Sequence, residues 1–244
     1  MKRFCADLHI HTALSPCAMD EMTPCGIVQA ALNVGLQMIA ICDHNSARNV
    51  AAVQEAGAGA IGVIPGIEIT SEEEVHVLGL FPDVEAAGHV SEAIREGLPE
   101  TGPVSKHFGS QLLMDASGRV LGEETKMLGV ASAYTLTEAV ALIKRHGGLA
   151  VASHVDRPSF SVLSQLGMFP EDVEFDAIEI SAAGWQQDRA EDFAFLGLPM
   201  VTSSDSHFLS DLGIAYTILE MQHASFDELA RALRNEGGRR CHLA

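Results

Sequence analysis

Short apolar runs that lead into a histidine or an acid recur along this chain, and they restrict its fold more than any other feature. The run QMIAIC at 37–42 leads into Asp43 and His44, IGVIPGIE closes on Glu68, GGLAVAS leads into His154, and LPMVTSS leads into Asp205 and His207. At the start, Asp7, His9 and His11 follow one another at alternate positions. His76 interrupts a further apolar run, EVHVLGL. Runs this short, rich in β-branched residues and bounded by turn residues, read as buried strands. They predict strands at 3–9, 37–42, 61–69, 75–80, 149–153, 176–181, 199–203 and 215–220.

Helical signals fill the gaps. Thr23 followed by Pro24 is a helix start, and the apolar repeat runs on to Gly35. Helices are also expected near 46–56 and 84–97. Thr135 with Glu138 and Ser225 with Glu228 have capping-box spacing, opening a helix that stops at Gly147-Gly148 and a last helix. Strands alternating with helices predict a parallel sheet or barrel. A chain of 244 residues matches one α/β barrel, which typically has about 250, so 1–244 is expected to be a single domain. The stretch 98–133 breaks the rhythm with Pro99, Gly102, Pro103 and Gly109, then a hairpin signal between Asp115 and Gly118. It is expected to be an insertion, with Lys106 and His107 as surface residues of it.

Composition narrows the function. Hydrophobic residues make up 47% of the chain, enough for a sizeable core, and the formal net charge is −18 with only 15 lysines and arginines. That balance argues against a long track for duplex nucleic acid and against an anionic membrane surface. It permits a small phosphorylated substrate, because bound divalent cations reverse the local charge of an acidic pocket. The first residues lack a signal-peptide core, and no apolar run is long enough to span a membrane. Five scattered cysteines without a CxxC pair read as reduced thiols. A cytoplasmic protein is expected, and no obligate protein partner is evident.

Catalytic groups of α/β barrels sit where the strands end, so the polar residues closing these runs are expected to converge on one rim. In an extended strand Asp7, His9 and His11 project to one face, as do Asp205 and His207. Burying so many unpaired polar groups would cost several kcal/mol, and metal ions are the economical partners.

The ordered set DLHIHT, CDH, PGIE, VHVLG, ASH and SDSH, covering residues 7 to 207, resembles the PHP (polymerase and histidinol phosphatase) family, and further phrases resemble its stand-alone metal-dependent phosphoesterases. The resemblance implies a distorted (β/α)7 TIM-like barrel with an inserted segment. It also implies two or three divalent metal ions and hydrolysis of phosphate esters, through a hydroxide shared by two cations. Carried over by position, His9, His11, Glu68 and Asp205 would hold one metal. Glu68, His76 and His154 would hold a second, and His44 and His207 a third with one donor from the loop after His11. Many relatives place an Asp or His where this chain has Pro16. The loop offers Cys17, Asp20 and Glu21 instead, and Asp20 is the expected donor.

Asp7 and Asp43 are expected to orient imidazoles through the second ring nitrogen. Arg157 and Arg48 are candidates for phosphate oxygens, and Asp205, His207 and Arg157 for the catalytic step. Zn, Mn and Fe all suit the donor set. The expected reaction is hydrolysis of a small phosphorylated metabolite or nucleotide, with no long duplex. Alternatives are a 5′→3′ exonuclease on short oligonucleotides, a non-catalytic metal-binding PHP module, or a carbon–nitrogen hydrolase. HxH also opens the amidohydrolase pattern, which expects a lysine or carboxylate bridge on a mid-chain strand: Lys126 and Lys144 do not end an apolar strand, whereas Glu68 does.

Overall fold

A computed structural model describes residues 1–100 and 109–244; Lys106 and His107 lie outside the described residues. Nine strands form one sheet: β1 (Lys2–Ile10), β2 (Met38–Ile41), β3 (Gly62–Thr70), β4 (His76–Leu80), β7 (Leu149–Ala152), β8 (Ala177–Ile180), β9 (Met200–Thr202), β10 (Thr217–Met221) and β11 (Arg240–Leu243). Their order is β11-β10-β1-β2-β3-β4-β7-β8-β9. The sheet curls until its ends nearly meet. Ser206, just past β9, bridges to Ile10, and the Thr217 hydroxyl both accepts from the Thr202 amide (2.9 Å) and donates to the Thr202 carbonyl (2.8 Å). The result is the expected distorted α/β barrel.

Two strands run against the rest. β4 is antiparallel to both β3 and β7, and β10 is antiparallel to β1 and β11. The reversal of β4 matters for the site. Leu78 and Leu80 point into the barrel, so His76 points there too, and a reversed strand begins at the rim where its neighbours end.

Side chains separate by strand period. Met38, Ala40, Ile64, Leu78, Val151 and Val201 fill the interior with Leu229 and Leu233 of the last helix, while Ile39, Ile41, Ile67, Ile69, Val77 and Ile178 pack outward. The outward face meets α1 (Pro24–Asn33), α2 (Val50–Ala56), α3 (Val84–Gly97) and α4 (Leu136–Arg145). α5 (Val162–Leu166) and α6 (Ala182–Gln186) are short, and α7 (Phe226–Leu233) closes the chain's helical elements. Two of the three predicted caps form as expected; at the third the Ser225 hydroxyl accepts from the Glu228 amide, but the Glu228 carboxylate turns to the Gln222 amide and Arg239 instead of closing the box. The Thr23 hydroxyl accepts from the Gly26 amide, and Thr135 with Glu138 makes a reciprocal capping box. Among the described residues no helix is long and apolar enough to cross a membrane.

The described part of 98–133 contains the hairpin β5 (Leu112–Met114) and β6 (Val120–Glu123). Asp115 shapes its turn by accepting from the amides of Ser117 and Arg119, both at 3.0 Å, and Gly118 takes φ +85°. Side-chain amides sew this segment to the rim. Asn49 donates to Leu112 O and accepts from the Met114 amide, and Asn45 donates to Leu128 O and Val130 O.

Candidate metal centre

β1 sets the phase of the site. Ala6 and Leu8 face inward, yet Ile10 packs outward, because the register with β2 slips between Asp7 and Ile10. The slip turns His9 and His11 inward and leaves Asp7 on the opposite phase, correcting the expectation that all three share a face. The Asp7 carboxylate accepts from the amides of Ser204 (3.0 Å) and Gly213 (3.1 Å) instead. It therefore braces the turn after β9 and touches no imidazole. Burial raises its pKa to about 6 despite those bonds.

At the rim, Glu68 and Asp205 stand among six imidazoles. His9 Nε2 lies 3.4 Å from Glu68 Oε1 and 3.4 Å from Asp205 Oδ1. His11 Nε2 lies 3.5 Å from Glu68 Oε2, 3.0 Å from Asp205 Oδ1 and 3.1 Å from His9 Nε2. Glu68 Oε1 also faces His76 Nδ1 (2.9 Å) and His154 Nε2 (3.4 Å), and Glu68 Oε2 faces His44 Nδ1 (2.9 Å). The His207 ring stacks on His11, with centroids 4.2 Å apart. Among the described residues three donor groups emerge: His9 with His11 and Asp205, His44 with Glu68 and His76, and His11 with His44 and His207. Glu68 belongs to the second and lies 3.4 Å from His9 and 3.5 Å from His11 of the first, His44 joins Glu68 and His76, and His11 belongs to two groups.

These donors fit divalent cations. Both Glu68 oxygens, both His154 nitrogens, His44 Nδ1 and His76 Nδ1 are buried and make no hydrogen bond of good geometry, although Glu68 lies 2.9 Å from His44 Nδ1 and from His76 Nδ1. Orphaned polar atoms at this density are destabilising unless something binds them. Four donors about 2.1 Å from one ion at tetrahedral angles lie about 3.4 Å apart, which is the spacing observed around His9. The electrostatics agree. Burial works against ionisation of Glu68, yet His76, His9 and His44 hold it well below the usual carboxylate range. His9 and His11 do the same for Asp205. Burial, with His207 and His44 beside it, keeps His11 well below the ordinary imidazole range, in the neutral form that binds metal.

The groups that orient these rings are not the acids expected to do so. Glu179, in the middle of β8 and buried, places its carboxylate 3.0 Å from His9 Nδ1 and accepts from the His154 amide at 3.1 Å. Ser15 Oγ lies 2.9 Å from His11 Nδ1, and the His207 Nδ1 lies 2.8 Å from Asp205 O. Asp43 acts one step away, accepting from Ser15 Oγ, Thr12 Oγ1 and the Thr12 amide, each at 2.7 Å. Sequence reasoning missed Glu179. Its signal was a lone carboxylate inside the apolar strand AIEI, as unexplained as His76 in its own run.

The loop after His11 reverses another expectation. Hydrogen bonds from Ala18 N to Ser15 O, Met19 N to His207 O and Met22 N to Met19 O wind it into tight turns. These turns leave Asp20 exposed and outside every donor group. Cys17 is likewise exposed and outside those groups, but it lies within hydrogen-bonding reach of His207 and His44 of the third. Burial alone would raise its thiol pKa, but hydrogen bonds with His207 and His44 bring it down to about 6.

The two arginines part company. Arg157 Nη1 lies 2.7 Å from Asp205 Oδ2 with its side chain 42% exposed, so it borders the cluster. Arg48 is bound to Glu124 Oε2 at 2.6 Å, and Arg95 bonds the same carboxylate. That pairing diverts Arg48 from the cluster. A cleft of about 460 Å³ opens beside Asp205, lined by Arg157, Arg189, Gln186 and Gln187 among others. Backbone strain concentrates at the rim: Asn45, His154 and Asp205 all have left-handed φ, at 49°, 27° and 52°.

Residues 184–236 match the model of the PHP-associated family, PHP_C. Over 98% of its length the chain is 25% identical to the uncharacterized protein YqxK of Bacillus subtilis, and it spans 64% of that protein. In structure it resembles the lesion-specific endonuclease EndoQ of Pyrococcus furiosus, at 18% identity and a TM-score of 0.76, over 98% of this chain and 58% of that one. An endonuclease Q bound to a 27-mer duplex with an abasic lesion at its active site gives a TM-score of 0.77. A Bifidobacterium adolescentis protein assigned as a metal-dependent phosphoesterase is 20% identical with a TM-score of 0.59, over 92% of this chain and 93% of that one. The duplex complex overturns the expectation of a small substrate and no long duplex. Net charge sums over the whole surface, whereas a duplex meets the field at one rim, where cations would offset the carboxylates.

Proposed function

We propose that this chain is a PHP-type protein and a metal-dependent phosphoesterase acting on phosphodiester bonds of nucleic acid. The observation that carries the reading is the convergence of six histidines, Glu68 and Asp205 on one rim, where both Glu68 oxygens, both His154 nitrogens, His44 Nδ1 and His76 Nδ1 make no well-formed hydrogen bond. The likeness to a barrel that holds duplex DNA supports the choice of substrate.

His9, His11, His44, Glu68, His76, His154, Asp205 and His207 would hold two or three divalent cations, with Cys17 rather than Asp20 completing the third position. Bound there, such cations supply a nucleophile at neutral pH and neutralise phosphoryl oxygens. The chain's own residues prepare the rest. Glu179 and Ser15 engage Nδ1 of His9 and His11, leaving each Nε2 turned to the cluster. Arg157 holds the outer oxygen of Asp205 and lines the cleft, where its remaining N–H groups would take the non-bridging oxygens of the scissile phosphate. With several imidazoles and a cation aimed at one point, no protein nucleophile is needed.

The test is metal analysis of the purified protein, paired with cleavage of labelled duplexes with and without an abasic lesion and of short single strands. Metal-dependent cleavage that a chelator abolishes and added metal restores is expected. A protein that binds no metal, or that cuts none of these substrates when loaded, overturns the proposal.

A further inference from the structure

Phe160 is the feature of the rim that the reaction above leaves unexplained. Its backbone is left-handed, with φ 57°, a conformation that glycine or asparagine adopts far more readily than a bulky aromatic residue. Its side chain is nevertheless kept in view of solvent, with the residue 41% exposed. Its ring stacks on the His76 imidazole, with centroids 4.7 Å apart and planes 24° from parallel.

The surrounding loop is built to hold this ring in place. The His76 amide donates to Phe160 O at 2.9 Å, pinning the residue to the first position of β4. The next residue, Ser161, caps α5 through a reciprocal bond with Ser164, and its hydroxyl donates to Arg157 O at 2.8 Å. The Arg157 amide in turn donates to His154 O at 2.9 Å. One short loop, 154–160, thus reaches from Asp205 to His76. It presents a guanidinium at one side of the cluster and a flat apolar face at the other.

From this juxtaposition we infer that Phe160 is a stacking platform for the nucleobase next to the scissile phosphate, and so sets preference for a base-bearing neighbour. The inference rests on the nucleic-acid reading above. A cation for the phosphate and a π-face for the adjoining base is how single nucleotides are gripped without sequence preference. With the residue 41% exposed, stacking is the contact that a phenylalanine side chain, lacking any polar atom, can offer a base.

The test uses oligonucleotides in which the residue on either side of the cleaved phosphate carries a base or is an abasic tetrahydrofuran, together with a 2-aminopurine at the same position. With the metal-loaded protein, removing the base on one side should raise KM roughly tenfold and leave kcat nearly unchanged, in keeping with the strength of base–aromatic stacking. The fluorescence of 2-aminopurine should be quenched on binding. Phe160→Gly keeps the left-handed backbone and removes the ring; it should lose both the KM difference and the quenching while retaining its metal. Phe160→Trp should restore both, and Phe195→Ala, at an exposed phenylalanine outside this loop, should change neither. If the wild type cuts oligonucleotides with equal KM with and without flanking bases, or Phe160→Gly keeps the difference, the platform is wrong and the nucleic-acid reading stands. Loss of metal from Phe160→Gly, without any change in base dependence, would mean that the ring only shields His76. A metal-loaded wild type that cuts no oligonucleotide overturns both.

Discussion

Glu179 holds His9 by its back: the carboxylate lies 3.0 Å from Nδ1, while Nε2 on the far side of the ring stands 3.4 Å from both Glu68 and Asp205. Burial lowers the basicity of His9, but Glu179, Asp205 and Glu68 outweigh it and hold its pKa well above the ordinary value. A cation at Nε2 would replace the proton there, with Glu179 still fixing the tautomer. Glu179→Gln removes the charge and keeps the shape. It should weaken metal binding between about 10- and 100-fold, the usual effect of losing such a partner. Competition with a chromogenic chelator measures this, and unchanged affinity would remove Glu179 from the site.

Cys17 and Asp20 make opposite predictions. Cobalt-loaded protein should show a thiolate-to-cobalt charge-transfer band in the near ultraviolet. Cys17→Ser should abolish the band and release one equivalent of metal, and Asp20→Ala should do neither. The reason is placement: both residues are exposed, but only Cys17 lies within hydrogen-bonding reach of His44 and His207. A band that survives Cys17→Ser refutes the assignment.

Arg157→Ala should lower kcat/KM by about 10²–10³-fold, the range found when one charge-stabilising donor is lost, with metal content and thermal midpoint nearly unchanged. The side chain is 42% exposed, so little packing goes with it. Arg157→Lys should rescue only in part, since an ammonium lacks the planar fork. Full activity in Arg157→Ala would place phosphate binding elsewhere.

Glu124 predicts an acid limb of stability. Burial would raise its pKa, but Arg95, the backbone amides after it and Arg48 lower it to about 2. A carboxylate whose folded pKa is depressed contributes stability that is complete above its unfolded value, about 4.3, and is lost as pH falls towards 2. Glu124→Gln should therefore destabilise the protein by about 2 kcal/mol at pH 7, the partly exposed arginines keeping the effect below the full linkage value. The gap from wild type should close below pH 4 in urea titrations. Arg48→Ala should lower stability modestly and leave activity intact.

Much of the fold was legible because strand and helix signals are local. The apolar runs, Thr23-Pro24, and the Thr135–Glu138 box each write their element into a few adjacent residues, and helix 84–97 has the predicted limits. The sense of β4 was not legible. A short apolar run carries no direction, and only its pairing with β3 and β7 shows that His76 begins the strand at the rim.

By itself, the sequence determined the order of donor-bearing strand ends, because each is a polar residue closing an apolar run, and a barrel must bring such ends to one rim. Only the tertiary structure decided which donors share a space and what orients them. The register slip in β1 parted Asp7 from His9 and His11, a strand nearly 170 residues away brought Glu179 to His9, and Glu124 took Arg48. These are relations across the barrel, set by strand pairing and by the need to satisfy each buried charge with whatever the fold brings near.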